Sequence, residues 1–381
     1  MRRYARMVAY LDNSATTPLC IKAKERMVDA IENTWGNPSS LHEKGIEADL
    51  LLKSARRAVA NALSCTEKEI IFTSGGTEGN NLAVFGAAHQ GKRKGNRVIT
   101  SAVEHPSVQK AFDRLEAEGF EVIRIPTDKK GFVDFAELEK AVNEKTVLIS
   151  VMAVNNEVGT IQPVEELSKI VKRKNAPALI HVDAVQAFGK IPLTPKKWGI
   201  DLMTVSSHKI HGPKGTGALF IKEGTKLSPV AAGGGQERDI RPGTEPMPAI
   251  AGFYGAVEEL KVKESLLKMT ELRDYLANEL AKRDFVTVNS PENALPYIIN
   301  LSLKGLRSET VLNFLSDMEI YVSSGSACSK GHKSPVLTAM GLDDALIDSS
   351  LRVSMSRMTT KEQLDYFLNG IDMAVKVIRK K

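Results

Sequence analysis

The sequence predicts an α/β protein: a large domain on a mainly parallel sheet covered on both faces by helices, followed by a small α+β domain. Three observations predict it. Apolar, β-branched runs of the kind buried on both faces alternate with stretches of helical period. Those runs end in clusters of Gly, Ser, Asn, Asp and His, as strands feeding a ligand site do. At 381 residues, with 42% hydrophobic and 26% charged residues, the chain has ordinary globular composition and room for two domains.

The elements follow in order. Val8–Leu11 is extended and leads into the polar loop Asp12 to Pro18. Helical patterns cover 21–33 and 43–62, separated by the turn cluster Trp35 to Ser40. Glu69–Thr73 reads as a strand, Ser74-Gly75-Gly76-Thr77-Glu78 as a tight turn and Asn80–His89 as a helix. A strand, glycine turn and helix offer backbone N–H groups and a positive dipole end to an anion, although a plain βα turn looks the same. Strands near 97–100, 121–125, 147–153, 178–182, 201–205 and 217–221 follow, with helices over 108–117, 135–142 and 164–174 between them. The loop 233–246 is long and Gly-rich, as functional loops or linkers are. Residues 248–280 read as one long helix bridging to the small domain. That domain carries strands near 286–289, 297–303 and 319–323, helices near 308–316 and 361–379, and a strand-like run around Arg352.

Net charge is +6, a mild excess that permits acidic partners without arguing for nucleic acid. Cys20, Cys65 and Cys328 are odd in number and far apart, with no CxxC pair, so a reducing compartment is expected. The basic start lacks the apolar core of a signal peptide, and no apolar run reaches the roughly 20 residues that cross a bilayer. A cytoplasmic protein is expected.

Gly75, Gly76, Thr77, His105, Asn155, Asp183, Gln186, Ser206, His208 and Lys209 all fall at or just past the C-terminal ends of predicted strands, where α/β sheets bind ligands. Each alone is an ordinary loop residue. Together they offer an anion cradle, a carboxylate, an amide, a flat ring partner and an amine, and pyridoxal phosphate asks for that set. Its phosphate takes helix N-terminal N–H groups and hydroxyls. Its aldehyde takes a lysine, and its pyridine nitrogen takes a carboxylate. Lys209 and Asp183 fit these needs, Gln186 can donate to the phenolic oxygen, and His105 can stack on the ring and move protons. His181 and His211 read as structural or rim histidines. Cys328 lies in a Ser/Gly loop beside Lys330 and His332, which favour a thiolate. Cys20 and Cys65 read as inert. Arg352 suits a carboxylate, or is a surface arginine on an edge strand.

These motifs resemble the aminotransferase class-V enzymes of pyridoxal-phosphate fold type I, the aspartate-aminotransferase-like architecture. More narrowly, they resemble the NifS/IscS cysteine desulfurases. The resemblance runs nearly end to end, through Leu11–Pro18, Gly36–Ser40, Phe72–Glu78, Glu104-His105, Asn155–Gly159, His181–Gln186, Ser206–Lys209, Arg241–Thr244, Ser323–Cys328 and Leu351–Ser354. It implies conversion of L-cysteine to L-alanine, with Lys209 as Schiff-base lysine, Asp183 as pyridinium partner, Gln186 as phenolate donor and His105 as stacking acid/base. It implies phosphate contacts from Gly76, Thr77, Ser206 and His208, and from Thr244 across a homodimer. Asn37, Asn155 and Arg352 would hold the substrate carboxylate, with Asn155 also beside the cofactor. Cys328 would carry the sulfur as a persulfide and pass it to acceptors for iron–sulfur cluster or thiolated tRNA synthesis. No resident metal is implied, only transient cluster ligation by Cys328, and neither membrane nor direct nucleic-acid contact. The implied domains are 15–255, binding the cofactor, and 1–14 plus 256–381, carrying the cysteine loop. The segment Ser329–Leu337 is about two residues shorter than the resemblance leads one to expect. Two other readings keep the lysine motif: a lyase or transaminase for another amino acid, such as selenocysteine, and an inactive scaffold.

Overall fold

A computed structural model describes residues 7–324 and 333–378. The chain enters as β1 (Ala9–Tyr10), then α1 (Ile21–Glu32) and α2 (Glu43–Ala62). Strand–helix alternation begins at β2 (Ile70–Thr73) and α3 (Gly76–Gly91). It continues through β3 (Arg97–Ser101), α4 (Pro106–Ala117), β4 (Glu121–Ile125), α5 (Phe135–Ala141), β5 (Thr146–Ser150), α6 (Glu165–Arg173) and β6 (Leu179–Asp183). A short α7 (Pro195–Trp198) precedes β7 (Leu202–Ser206) and β8 (Gly217–Ile221).

These strands form a seven-stranded sheet in the order β2-β8-β7-β6-β5-β3-β4. β8 is antiparallel to both its neighbours, and every other pair is parallel. The remaining strands therefore point one way, and their C-terminal ends share one edge. β2, β5, β7 and β8 are buried along their whole length, as expected of strands covered on both faces. Phe253 packs edge-on against Phe72 and Phe188, with centroids 6.4 and 6.1 Å away. Truncating it to alanine is expected to cost about 3–5 kcal/mol.

The second half comprises α8 (Met247–Glu258), α9 (Val262–Ala281), β9 (Val286–Val288), β10 (Ile298–Leu303), α10 (Ser308–Asp317), β11 (Ile320–Tyr321), α11 (Pro335–Ala339), α12 (Asp344–Asp348), β12 (Ser350–Ser354) and α13 (Lys361–Ile378). β10 lies between β12 and β9 in an antiparallel sheet, while β11 pairs in parallel with β1. Bridges from Asp12 and Ser323 to β12 fasten the chain's start to its end.

Two helices differ from expectation. The 248–280 stretch is broken between α8 and α9. There Leu260 packs under Gly189 so closely that a Cβ on that glycine would lie 2.8 Å from Leu260 Cδ2. The helix expected at Asn80 starts at Gly76, because Glu78 turns back to accept a hydrogen bond from Ser74 N–H and closes the first turn. The short helices α7 and α11 each open on a proline, which is suited to the first helical position. Among the described residues, no helix is long and apolar enough to cross a membrane.

Candidate active site

Lys209 closes a 3₁₀ turn, Ser207–Lys209, that follows β7 directly. The loop 12–18 clamps this turn. Thr17 N and Thr17 Oγ1 donate to His208 O at 3.1 and 2.9 Å, and His211 N donates to Thr17 Oγ1 at 2.8 Å. Lys209 Nζ donates to Ser14 O, and to Ala15 O at 2.8 Å. Ser14 N in turn donates to Ser354 Oγ at 2.8 Å, and Asn13 Nδ2 to Ser354 O at 2.9 Å. The lysine's acceptors thus hang from β12. Sequence reasoning assigned no role to Asn13, Ser14 or Ala15, because backbone carbonyls carry no side-chain signature.

On the neighbouring strand, β6 ends in Asp183, which is 5% exposed. Its Oδ1 accepts from Val185 N at 3.0 Å and its Oδ2 from Asn80 Nδ2 at 2.8 Å. Asn80 uses its other amide proton on Ser107 Oγ at 2.8 Å. The Ser107 hydroxyl is therefore left to donate to His105 Nδ1, also 2.8 Å away, and Ser107 N approaches the same nitrogen at 3.2 Å. Two donors on Nδ1 put the imidazole proton on Nε2. Burial, with Lys209 adding to it, holds the His105 pKa below its ordinary value, while Asp183 opposes the shift. The ring is uncharged at neutral pH. Asn80 and Ser107 were missed; their helical placement beside the glycine turn and after His105 was the available signal.

Gly76, Thr77 and His208 line one cleft with Thr16 and Lys214. A Cβ on Gly76 would sit 2.8 Å from Val185 Cγ2, so only glycine lets the α3 N-terminus come this close to β6. No side chain caps α3, and Ser206 Oγ and Ser14 Oγ are buried without a hydrogen-bond partner among the described residues. Burial, Lys209 and Lys214 pull the His208 pKa down to about 4. Gln186 donates from Nε2 to Ser14 O at 3.0 Å.

Arg352 is 5% exposed on β12, so it is not a surface arginine. Its Nη2 pairs with Asp12 Oδ1 at 2.8 Å and its Nη1 donates to Asn156 O at 3.1 Å, while Nε is a buried donor without a partner among the described residues. Asn155 is fully buried. Its Oδ1 accepts from Glu157 N and Val158 N, and its Nδ2 donates to Val103 O at 3.1 Å, which supports the loop that presents His105. Asn37 and Thr244 are exposed and do not line the clefts around Lys209 and Gly76. Cys328 lies outside the described residues, as do Lys330 and His332. His181, buried between Ser150 Oγ and Thr204 Oγ1, is driven down to about 3. His211 sits in a buried turn and donates from Nδ1 to Pro18 O at 3.0 Å. Glu104, also unassigned in sequence, is buried beneath the site. Its Oε1 accepts from Ser101 Oγ and Met152 N, and burial pushes its pKa up to about 8.

A strand-end amine, a carboxylate, an uncharged imidazole and a glycine-opened helix end define a fold and site class that the wider comparison places. Residues 9–367 match the aminotransferase class-V family, and the chain belongs to it. Within that family it is a member of the cysteine desulfurases of the NifS/IscS kind. It is 43% identical to cysteine desulfurase IscS of Dictyoglomus turgidum, over 97% of this chain and 95% of the relative. A solved NifS-like protein superposes with a TM-score of 0.92 at 39% identity, over 97% of this chain and 100% of that one. The structure of SspA in complex with cysteine gives 0.82 at 32%, over 92% and 100%.

Proposed function

We propose that the protein is a pyridoxal-phosphate-dependent cysteine desulfurase that converts L-cysteine to L-alanine and leaves the sulfur on Cys328. The observation that carries this is the convergence of Lys209, Asp183 and His105 on one sheet edge. The unpartnered groups there fit the cofactor. Ser206 Oγ, Ser14 Oγ and the uncapped start of α3 at Gly76 and Thr77 suit a phosphate, with His208 as a neutral partner. Asp183, oriented by Asn80 and Val185 N, suits a ring nitrogen. When bound, the cofactor supplies an electron sink for the substrate's α-carbon.

The chain's own residues do the rest. Lys209 would hold the cofactor and would take the substrate's α-proton at Nζ. His105 would be the cofactor's ring partner and offers the proton it keeps on Nε2. Gln186 donates toward the phenolic oxygen. Arg352, whose Nε has no partner among the described residues, receives the substrate carboxylate, while Asn155 acts by holding the loop that presents His105. The Cys328 thiolate attacks the substrate sulfur: an S–S bond forms, the substrate C–S bond breaks, and protons complete alanine and the persulfide. Thr244 and the exposed apolar side chains Ile21, Ile31, Trp35, Leu41 and Leu50 support a homodimer in which each subunit contributes to the other's phosphate site. Sulfur acceptors would be an iron–sulfur scaffold or a tRNA-thiolation protein. The free thiols Cys20 and Cys65 fit the cytoplasm. We divide the chain into 15–255 and 1–14 plus 256–381, since the seven-stranded sheet lies wholly in the first and β1 hydrogen-bonds into the second; the division falls within α8.

The test is purification with pyridoxal phosphate, followed by borohydride trapping on Lys209 and measurement of alanine from L-cysteine. A colourless protein with no trapped cofactor sinks the reading. Cys328→Ala that still releases sulfide at the parental rate removes the sulfur-carrier assignment alone.

A further inference from the structure

Lys190 is only 6% exposed. Successive turns carry the chain from Asp183 through Gln186 to Lys190, with Ala187 N and Phe188 N donating to Ala184 O, and Lys190 N and Ile191 N to Ala187 O. Gly189, at φ +71°, bends the backbone under the Lys209 turn; a Cβ there would meet Ile210 Cγ2 at 2.8 Å. The ammonium of Lys190 then lies 5.7 Å from the centroid of the Tyr297 ring. Its Nζ donates to an uncharged acceptor, Gln186 Oε1, at 2.9 Å.

That hydrogen bond decides what Gln186 can do. An amide presents a donor at one end and an acceptor at the other, and nearly the same shape either way round. A lysine ammonium has three donors and no acceptor. Facing Lys190, the amide must turn Oε1 inward, so Nε2 points at Ser14 O, the carbonyl that also receives Lys209 Nζ. The donor edge thereby meets the same carbonyl as the reacting amine. The groups acting electrostatically on Lys190 are Lys209 and Arg352, and it acts on His208 and His211. Arg357 and Tyr297 line the same small cavity. Burial, with Lys209 and Arg352 adding to it, brings the Lys190 pKa down to about 7, so the ammonium is held below that pH at a cost that a structural filler such as methionine would avoid.

We infer that Lys190 is a positioning residue of the reaction: through Gln186 it fixes a hydrogen-bond donor toward the group held on Lys209, and its charge favours negative charge on that group's oxygen. The inference rests on the cofactor reading given above. It makes the Lys190–Gln186 pair a device for setting the protonation of the bound cofactor, distinct from Asp183 at the ring nitrogen.

The experiment follows the visible absorbance of the cofactor-loaded protein against pH. Removing a nearby cation and freeing the amide both raise the pKa of the bound chromophore. Lys190→Met is expected to move the midpoint up by about one pH unit. Lys190→Arg, which keeps charge and donors, is expected to restore most of that shift. In a Gln186→Leu background, Lys190→Met is expected to move the midpoint by less than half as much. A Lys190→Met protein that loads cofactor and titrates like the parent, losing only thermal stability, overturns the inference. Should Lys190→Met not fold, Lys190→Gln, polar but uncharged, carries the same expectation. If the parent protein itself takes up no chromophore, the cofactor reading fails and the role of Lys190 falls with it; a parent that loads cofactor confines any failure to Lys190.

Discussion

The two sides of the Lys209 turn are built differently. On one side, Asp183, Asn80, Ser107 and His105 form a relay in which both amide protons of Asn80 and the Ser107 hydroxyl have partners. All four residues sit on adjacent elements of one sheet edge. On the other side, Arg352 and Asp12 meet across 340 positions of sequence, and Arg352 Nε is left without a partner among the described residues. The relay's donors to Asp183 and to His105 are in place before any ligand arrives, although Asn80 Oδ1 is buried without a partner among the described residues. The arginine side has a donor in reserve. Preorganised dipoles suit the part of a site where charge develops, and an unfilled donor suits the part that binds.

Mutations can break or sharpen that contrast. Lys209→Ala stands between the two sides and should cost most: alanine formation is expected to fall by about 10⁴-fold, with no cofactor trapped by borohydride. Next, Arg352→Ala leaves Asp12 unpaired and removes the reserve donor. A loss of about 100-fold in kcat/KM, mostly through KM, is expected, with Arg352→Lys only partly restoring it. A fall confined to kcat would mean that Arg352 belongs with the relay. On the relay side, Ser107→Ala removes a donor to His105 Nδ1, which favours the protonated ring. The acid limb of the rate profile should move to higher pH, with kcat down about fivefold for a lost hydrogen bond of ~1 kcal/mol. An unchanged profile would break the relay at that point.

The smallest effect concerns stability. The Glu104 pKa is raised from 4.5 to about 8, first by burial, so the folded protein keeps a proton that the unfolded chain gives up. That contribution is fully present below the unfolded pKa and is lost as pH rises through the folded one. Between pH 4.5 and about 8 the parental Tm should therefore decline, and Glu104→Gln should flatten the decline by about 2–4 °C. Thermal unfolding at several pH values measures it.

Legibility in the sequence divides along the same line. The relay side was largely readable because strands and helices have periods, and Asp183, His105 and Lys209 fall where those periods stop. The α2 boundaries, Glu43–Ala62, match the 43–62 pattern. Asn80 and Ser107 were readable only as neighbours of the glycine turn and of His105, since a polar residue inside a helix looks the same whether it faces solvent or a carboxylate. The arginine side was legible only as isolated fragments. Nothing local in Leu351–Ser354 says that Asp12, Asn13 and Ser14 lie against it. Nor does any period announce Lys190, whose burial comes from the Gly189 bend.

One consequence belongs to synthesis. Ser14 holds Lys209, and Ser354 holds Ser14, so the lysine's acceptors are fixed by the loop after the first described strand and by the last described strand. A ribosome can release the whole seven-stranded sheet, able to collapse and bury its core, before β12 has emerged. Contacts that distant form late. The reactive amine thus comes under control only when translation has finished, and a nascent fragment would carry the lysine without its leash.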